Sequence, residues 1–392
     1  MTRLDPAPAP RNRVAFFSAV PAEARGVLFI DLAQISANWK ALSDHVAPAH
    51  CAAVVKADAY GLGAERVIPA LAAAGCRVLF VATLAEARQA RALAPDTVVY
   101  VLDGVPAGTA PACADAEVWP ILSSAPEVAE WAAETGRRGT RLPCGLHIDT
   151  GLNRLGLSAA EIDDLSADMS QLAQLDIRLV MSHLACADEP DHPMNSRQRE
   201  TMLALKSLLP DAPASLAASD GIMLGPPFHF DLVRPGYALY GGQASRTRPA
   251  PVGPVVEAYA RVLQVRDVMP AETVGYSAVF RADSPRRIAI IAAGYADGFF
   301  RHLSGTSQGP AGHVAFAGRL APVVGRVSMD LITVDVTDLS GPSVTRGEWA
   351  EIIGPTISLE TFGSAAGSIG YEALTRLGRR FHRVYLGSAG GV

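Results

Sequence analysis

Between residues 26 and about 240, short β-rich runs alternate with Ala-rich amphipathic stretches. Such alternation is the pattern of repeated βα units, in which each helical crossover returns the chain to start a new parallel strand. Strand candidates are 27–31, 51–56, 77–82, 97–102, 117–122, 144–149, 177–183, 215–219 and 229–233. That is one run more than a (β/α)8 barrel uses. Helix candidates at 84–93, 124–136 and 195–208 carry apolar residues at three- and four-residue spacing. A closed TIM-type barrel is preferred to an open sheet because polar residues recur at strand ends: Lys56, Asp149, His183, Ser219 and Arg234. A ring gathers those ends at one mouth.

The pattern changes after residue 245. Arg246-Thr247-Arg248-Pro249-Ala250-Pro251 reads as a linker. Alternating runs follow at 254–267, 287–293, 312–316, 321–326, 331–336 and 348–353, separated by Gly, Pro and Asp turns with little helical periodicity. The expected organisation is therefore a flexible leader at 1–25, an α/β barrel domain at 26–245, and a mostly β domain at 246–392. Two domains also suit 392 residues, since single cores rarely grow past about 250–300 residues.

Composition narrows the function classes. Apolar residues make up 49% and charged residues 19%, with net charge −5. This suits a well-buried enzyme and offers no basic face to a nucleic acid. No apolar run approaches the roughly 20 residues of a membrane span. The five cysteines are odd in number and lack C-x-x-C spacing. They read as core residues of a cytoplasmic protein, and no metal site is expected. At the N-terminus Arg3, Arg11 and Arg13 precede a short apolar stretch at 14–20, a faint echo of a secretory signal.

The chemistry is concentrated at CAAVVKADAYGLG, residues 51–63. An apolar strand ends in Lys56, at the edge where α/β barrels build active sites. Apolar surroundings disfavour a charged amine, so the pKa falls toward a nucleophile able to hold an aldehyde cofactor as a Schiff base. On this stretch alone, a lysine snorkelling from a strand end explains the sequence equally well.

Seven motifs in order then carry a resemblance: VVKADAYG, DTGLNRLGL, SHLACADE, LVRPGYALYG, VGYSAVF, AAGYADGFFR and GRVSMD. Over residues 26–388 the chain resembles alanine racemase, a pyridoxal 5'-phosphate enzyme built from a barrel and a β domain. In that family the first strand joins the β domain, which would remove the surplus strand. The resemblance implies interconversion of L- and D-alanine for peptidoglycan, in a homodimer with shared sites. Lys56 would carry the cofactor and act as one base. Tyr276, from the partner subunit, would be the second, since racemisation needs a base on each face of a planar intermediate. His183 would assist the tyrosine, and Arg234 would face the pyridine nitrogen and discourage its protonation. Fold rules point to a phosphate site in the loops at Ser219 and at Gly236-Tyr237. The resemblance adds the phenols of Tyr60 and Tyr371. Arg154, Met329, Asp330 and Tyr295 would contact the substrate, with Asp188, Arg301, Arg326 and Ile369 along an entry corridor.

Two positions depart from the family. His147 stands where many members have a carbamylated lysine that orients the arginine matching Arg154, so no carbamylated lysine is expected here. Leu62 replaces a common histidine. Three other readings compete. A serine or broad-range racemase would share most motifs. A non-enzymatic cofactor carrier would lack the β domain. A decarboxylase of similar architecture would want an acidic group where Arg234 lies.

Overall fold

The computed structural model describes residues 14–387, except 244, 246, 310, 311, 340 and 342. The chain divides into two compact units, one of residues 33–252 and one joining the segment up to residue 32 with everything from 253 onward.

In the first unit, parallel strands follow one another in chain order: Ala53–Val54, Val78–Val81, Val98–Val101, Trp119–Leu122, Pro143–His147, Asp176–Met181 and Ala214–Ser215. The eighth, Leu232–Val233, pairs in parallel with His50–Cys51, while Arg234 bridges to Ala218. Those two pairings close the ring. Most strand positions are buried apolar residues, as a barrel wall covered by helices requires, with Asp176 and Arg178 the less buried start of one strand. Between them, helices start at readable caps. Thr83 and Ser158 each bond the backbone N–H three residues on, and Glu86 and Glu161 return the bond.

The second unit is an eight-stranded sheet. Gly26–Asp31 runs antiparallel to Val256–Val268 and parallel to His382–Leu386. The first strand of the chain therefore sits in the β unit. Val256–Val268 is thirteen residues long, and a register shift between Val262 and Gln264 lets its far half pair with Arg286–Ile291. A separate two-stranded hairpin, Thr273–Val274 with Phe280–Arg281, carries the VGYSAVF motif.

Three features correct the sequence reading. Residues 14–25 are not a flexible leader. Val14–Phe17 is one helical turn, and Phe17 stacks on Trp349 at 5.3 Å and meets Tyr259 edge-on at 5.1 Å. Phe16 and Phe17 are partly buried against Val20, Val27, Phe29 and Tyr259, and this apolar contact favours the packed position. Residues 1–13 lie outside the described residues. The unit boundary falls at residue 252 rather than 245. The β unit also holds two short helices, Leu359–Ala365 and Gly370–Thr375, and the strand His382–Leu386, none of which the periodicity revealed. The helices have only seven and six residues, too few to display a period of 3.6. The strand is half-exposed along its length, so His382 and Arg383 interrupt its apolar pattern.

Candidate active site

Lys56 opens a left-handed turn. Ala57, Asp58, Ala59 and Tyr60 have φ values of 53°, 56°, 53° and 56°. Such a conformation costs L-residues roughly 1–2 kcal/mol each, so the surroundings must enforce it. Three bonds do so. The Ala57 N–H donates to Glu86 Oε1 at 2.8 Å, the Ala64 N–H to Asp58 Oδ1 at 2.7 Å, and the Gly61 N–H to the Ala57 carbonyl at 2.7 Å. Glu86 Oε2 accepts from Ala82 N–H at 2.8 Å. One carboxylate thus ties the lysine turn to the end of the next strand. The Lys56 amine is held below its ordinary pKa, first by burial and next by the Arg154 cation, with Arg234 adding to the fall while Glu86 and Asp103 oppose it. Its neutral, nucleophilic form is favoured accordingly.

Arg234 is buried, with 3% of its surface exposed. It donates to the Ser215 hydroxyl and to the Ser182 carbonyl (2.7 Å), and one terminal nitrogen lies 3.5 Å from His183 Nδ1. No carboxylate among the described residues pairs with it, and burial alone pulls its pKa down. A buried guanidinium without an anion leaves room for a neutral acceptor or an anionic ligand. His183 is held down to about 3, by burial first and then by Arg234, Arg154, Lys56 and His147. His147 is lowered to about 4 by burial, Arg234 and Arg154, against Asp149. Both imidazoles are therefore neutral at pH 7.

Gln198 organises the loop behind them. Fully buried, it donates to Thr150 Oγ1 at 3.1 Å and to the His183 carbonyl at 2.9 Å, and accepts from Ala185 N–H at 2.8 Å. Asn195, three residues earlier on the same helix face, holds the carbonyls of Cys186 and Glu189. The DTGLNRLGL loop is shaped by Asp149, whose Oδ1 accepts from the N–H groups of Gly151 and Asn153. Arg154 projects from that loop, exposed.

A second cluster gathers around Ser219. Its oxygen accepts from the N–H groups of Gly236 and Ala238, both at 3.1 Å, which leaves the hydroxyl proton free to donate elsewhere. Tyr60 packs on Tyr240 at 4.8 Å, and Tyr240 donates to the Val54 carbonyl at 3.0 Å. A Cβ at Gly236 would come within 2.2 Å of the Tyr60 oxygen, so only glycine fits this cradle. The Tyr237 ring is buried against Gly242.

In the β unit, Arg380 joins two loops. It grips Asp297 with two bonds of 2.7 and 2.8 Å and Asp330 with one of 2.6 Å. Tyr295, Met329 and Asp330 all lie in the loops so joined. Tyr276 stands at the hairpin tip, 70% exposed in the single chain, and Tyr371 lies in the helix Gly370–Thr375.

The barrel residues fit a phosphorylated pyridine aldehyde: a depressed amine, a glycine-only cradle beside a hydroxyl, and a buried cation lacking an anion. Family models described as the N-terminal and C-terminal domains of alanine racemase match residues 30–244 and 255–385. The chain belongs to the alanine racemase family. It is similar to the alanine racemase of Methylobacterium sp. (strain 4-46), 46% identical over 92% of this chain and 97% of that protein. That of Brucella abortus (strain 2308) is also 46% identical, over 94% of this chain and 95% of its own. Among solved structures, alanine racemase from Bartonella henselae with covalently bound pyridoxal phosphate superposes with a TM-score of 0.89. It is 39% identical and covers 93% of this chain and all of its own. The biosynthetic alanine racemase of Pseudomonas aeruginosa gives 0.83 at 33% identity, over 92% of this chain and 99% of its own.

Within this alanine racemase fold the sequence-derived residues fall into three groups. Lys56, His147 and His183 form the first group with Arg154 and Arg234, whose cations lower the pKa of all three. Tyr60, Ser219 and Gly236 form the second group, and Tyr295, Met329 and Asp330 the third. Among the described residues, the Tyr276 side chain makes no hydrogen bond to Tyr295, Met329 or Asp330. Of the corridor residues, Asp188, Arg301 and Ile369 are exposed, and Arg326 has a buried Nε without a partner among the described residues. Leu62 is fully buried, a packing residue here. Glu86, Gln198, Ser215 and Arg380 were not anticipated. Only Glu86 had a readable signal, the T-x-x-E capping box, and that box does not announce its second bond to Ala57.

Proposed function

We propose that this chain interconverts L-alanine and D-alanine with pyridoxal 5'-phosphate held on Lys56. The observation that carries the reading is the depressed, half-buried lysine amine at the mouth of a family-matched barrel, near a buried arginine with no counter-anion among the described residues. When bound, the cofactor supplies an electron-withdrawing ring that makes the substrate Cα–H acidic. Lys56, its pKa lowered by burial, would take or return the Cα proton on one face. Tyr276, from the partner subunit of a homodimer, serves the other face. Its exposure in the single chain supports a place in an interface. Arg234 would face the ring nitrogen and, as a cation with no acceptor, would disfavour a proton there. His183 stays neutral beside it. Ser219, the Gly236 cradle, Tyr60, the Tyr237 main chain and Tyr371 would receive the phosphate. Arg154 and the backbone at Met329 would receive the substrate carboxylate, beside Asp330 and Tyr295.

The match of the C-terminal domain over 255–385 argues against a barrel-only cofactor carrier. Five free cysteines support a reducing, cytoplasmic setting, and among the described residues no helix is long and apolar enough to cross a membrane. Supply of D-alanine for wall synthesis follows as the expected role. The test is circular dichroism of L-alanine during turnover, alongside a panel of other L-amino acids. L-Alanine should lose its signal fastest, and Lys56→Ala should lose at least about 10³-fold in rate together with the borohydride-bleachable yellow absorbance. Faster racemisation of serine or of larger side chains would replace alanine as the substrate. A colourless wild-type protein would overturn the cofactor.

A further inference from the structure

We propose that Arg380 is a positioning residue for recognition of the substrate carboxylate, acting through the Met329–Asp330 turn. The proposal rests on the racemase reading above.

Three consecutive carbonyls in that turn are pinned. Ser328 O accepts from Tyr295 N–H at 3.0 Å, Met329 O from Ala296 N–H at 3.1 Å and from Arg380 Nη2 at 3.5 Å, and Asp330 O from Arg25 Nη2 at 2.8 Å. In a trans peptide the N–H points opposite to the preceding carbonyl. Pinning Ser328 O and Met329 O toward the Tyr295–Asp297 turn therefore aims the N–H groups of Met329 and Asp330 away from it. Neither N–H has an acceptor among the described residues. Two successive unspent N–H groups form a concavity suited to an anion.

Arg380 sets this arrangement because it holds both sides at once. Its fork spans Asp297, whose own Oδ2 also accepts from Gly294 N–H at 2.9 Å, and reaches Asp330 Oδ1 with the remaining nitrogen. The loops meet at distances only glycine allows. A Cβ at Gly294 would lie 2.3 Å from Met329 O, and one at Gly378 would lie 2.9 Å from Ala296 O. A lysine has one nitrogen and no planar fork, so it can satisfy one carboxylate but not span two.

The experiment uses the full-length holoenzyme and its Arg380→Ala and Arg380→Lys variants. It measures kcat and KM for L-alanine, the inhibition constant and calorimetric binding of acetate as an unreactive carboxylate, and cofactor absorbance. Arg380→Ala should raise KM and the acetate constant together by about tenfold, with kcat changed less than about threefold and absorbance kept; Arg380→Lys should recover part of the loss. Unchanged acetate binding in the folded alanine variant overturns the proposal, as does a fall in kcat alone. If that variant does not fold, Asp330→Asn, which keeps shape but loses the ion pair, should weaken acetate by about threefold. An unchanged value there also overturns it. A wild-type enzyme that binds acetate but leaves alanine untouched would instead defeat the functional reading.

Discussion

His147 and His183 are neutral for a reason their sequence positions do not disclose. Each is buried beside Arg234 and Arg154, so accepting a proton means placing a cation among cations out of water. That has a consequence for stability. An unfolded histidine binds its proton near pH 6.5, whereas the folded pair do so only near 4 and 3. Across that window the unfolded chain binds more protons, so the stabilisation is complete above pH 6.5 and is lost as pH falls through the folded values. Cofactor-free protein should show a thermal midpoint that declines steadily from pH 6.5 to pH 4. The His147→Gln, His183→Gln double variant should flatten that decline. An unchanged slope would mean that other groups govern acid stability. At the same scale, Lys56 was visible in the sequence because an apolar strand ends in it. The cations that depress it were not, since Arg154 and Arg234 lie about 100 and 180 residues away along the chain.

Short elements carry disproportionate weight here. The left-handed turn after Lys56 holds four non-glycine residues at positive φ, and Glu86 is the group that reaches into it from outside. Replacing Glu86 by Ala strands the N–H groups of Ala57, Ala82 and Thr83 together. Urea unfolding at pH 7 should show a loss of about 2 kcal/mol, within the range for a helix cap combined with a charge-assisted bond. Glu86→Gln keeps one acceptor and should lose less. It also removes a negative charge that raises the lysine pKa, so the lysine of that variant should titrate at lower pH. Equal losses from both substitutions would show that the carboxylate charge, rather than its acceptor geometry, holds the turn. The capping box was readable from Thr83-Leu84-Ala85-Glu86. The long-range bond was not, because capping motifs specify partners three residues away and nothing further.

For the whole molecule, the decisive prediction concerns shared sites. If Tyr276 serves the neighbouring subunit, a Lys56→Ala protein and a Tyr276→Phe protein, each inactive, should complement after dissociation and remixing. Random reassortment makes about half of the dimers mixed, with one intact site of two, so about a quarter of wild-type activity should return. No recovery would assign both bases to one chain. Strand-by-strand alternation was enough to specify the barrel and the β domain, because periodicity is a property of neighbouring residues, and seven ordered motifs carried the family. Tertiary structure alone decided the rest. It packed Phe17 where a loose leader was expected. It recruited Gln198 to His183 and Arg380 to Asp297 and Asp330. Each of these depends on groups distant in the chain meeting within hydrogen-bond or van der Waals range, and a linear pattern carries no record of such meetings.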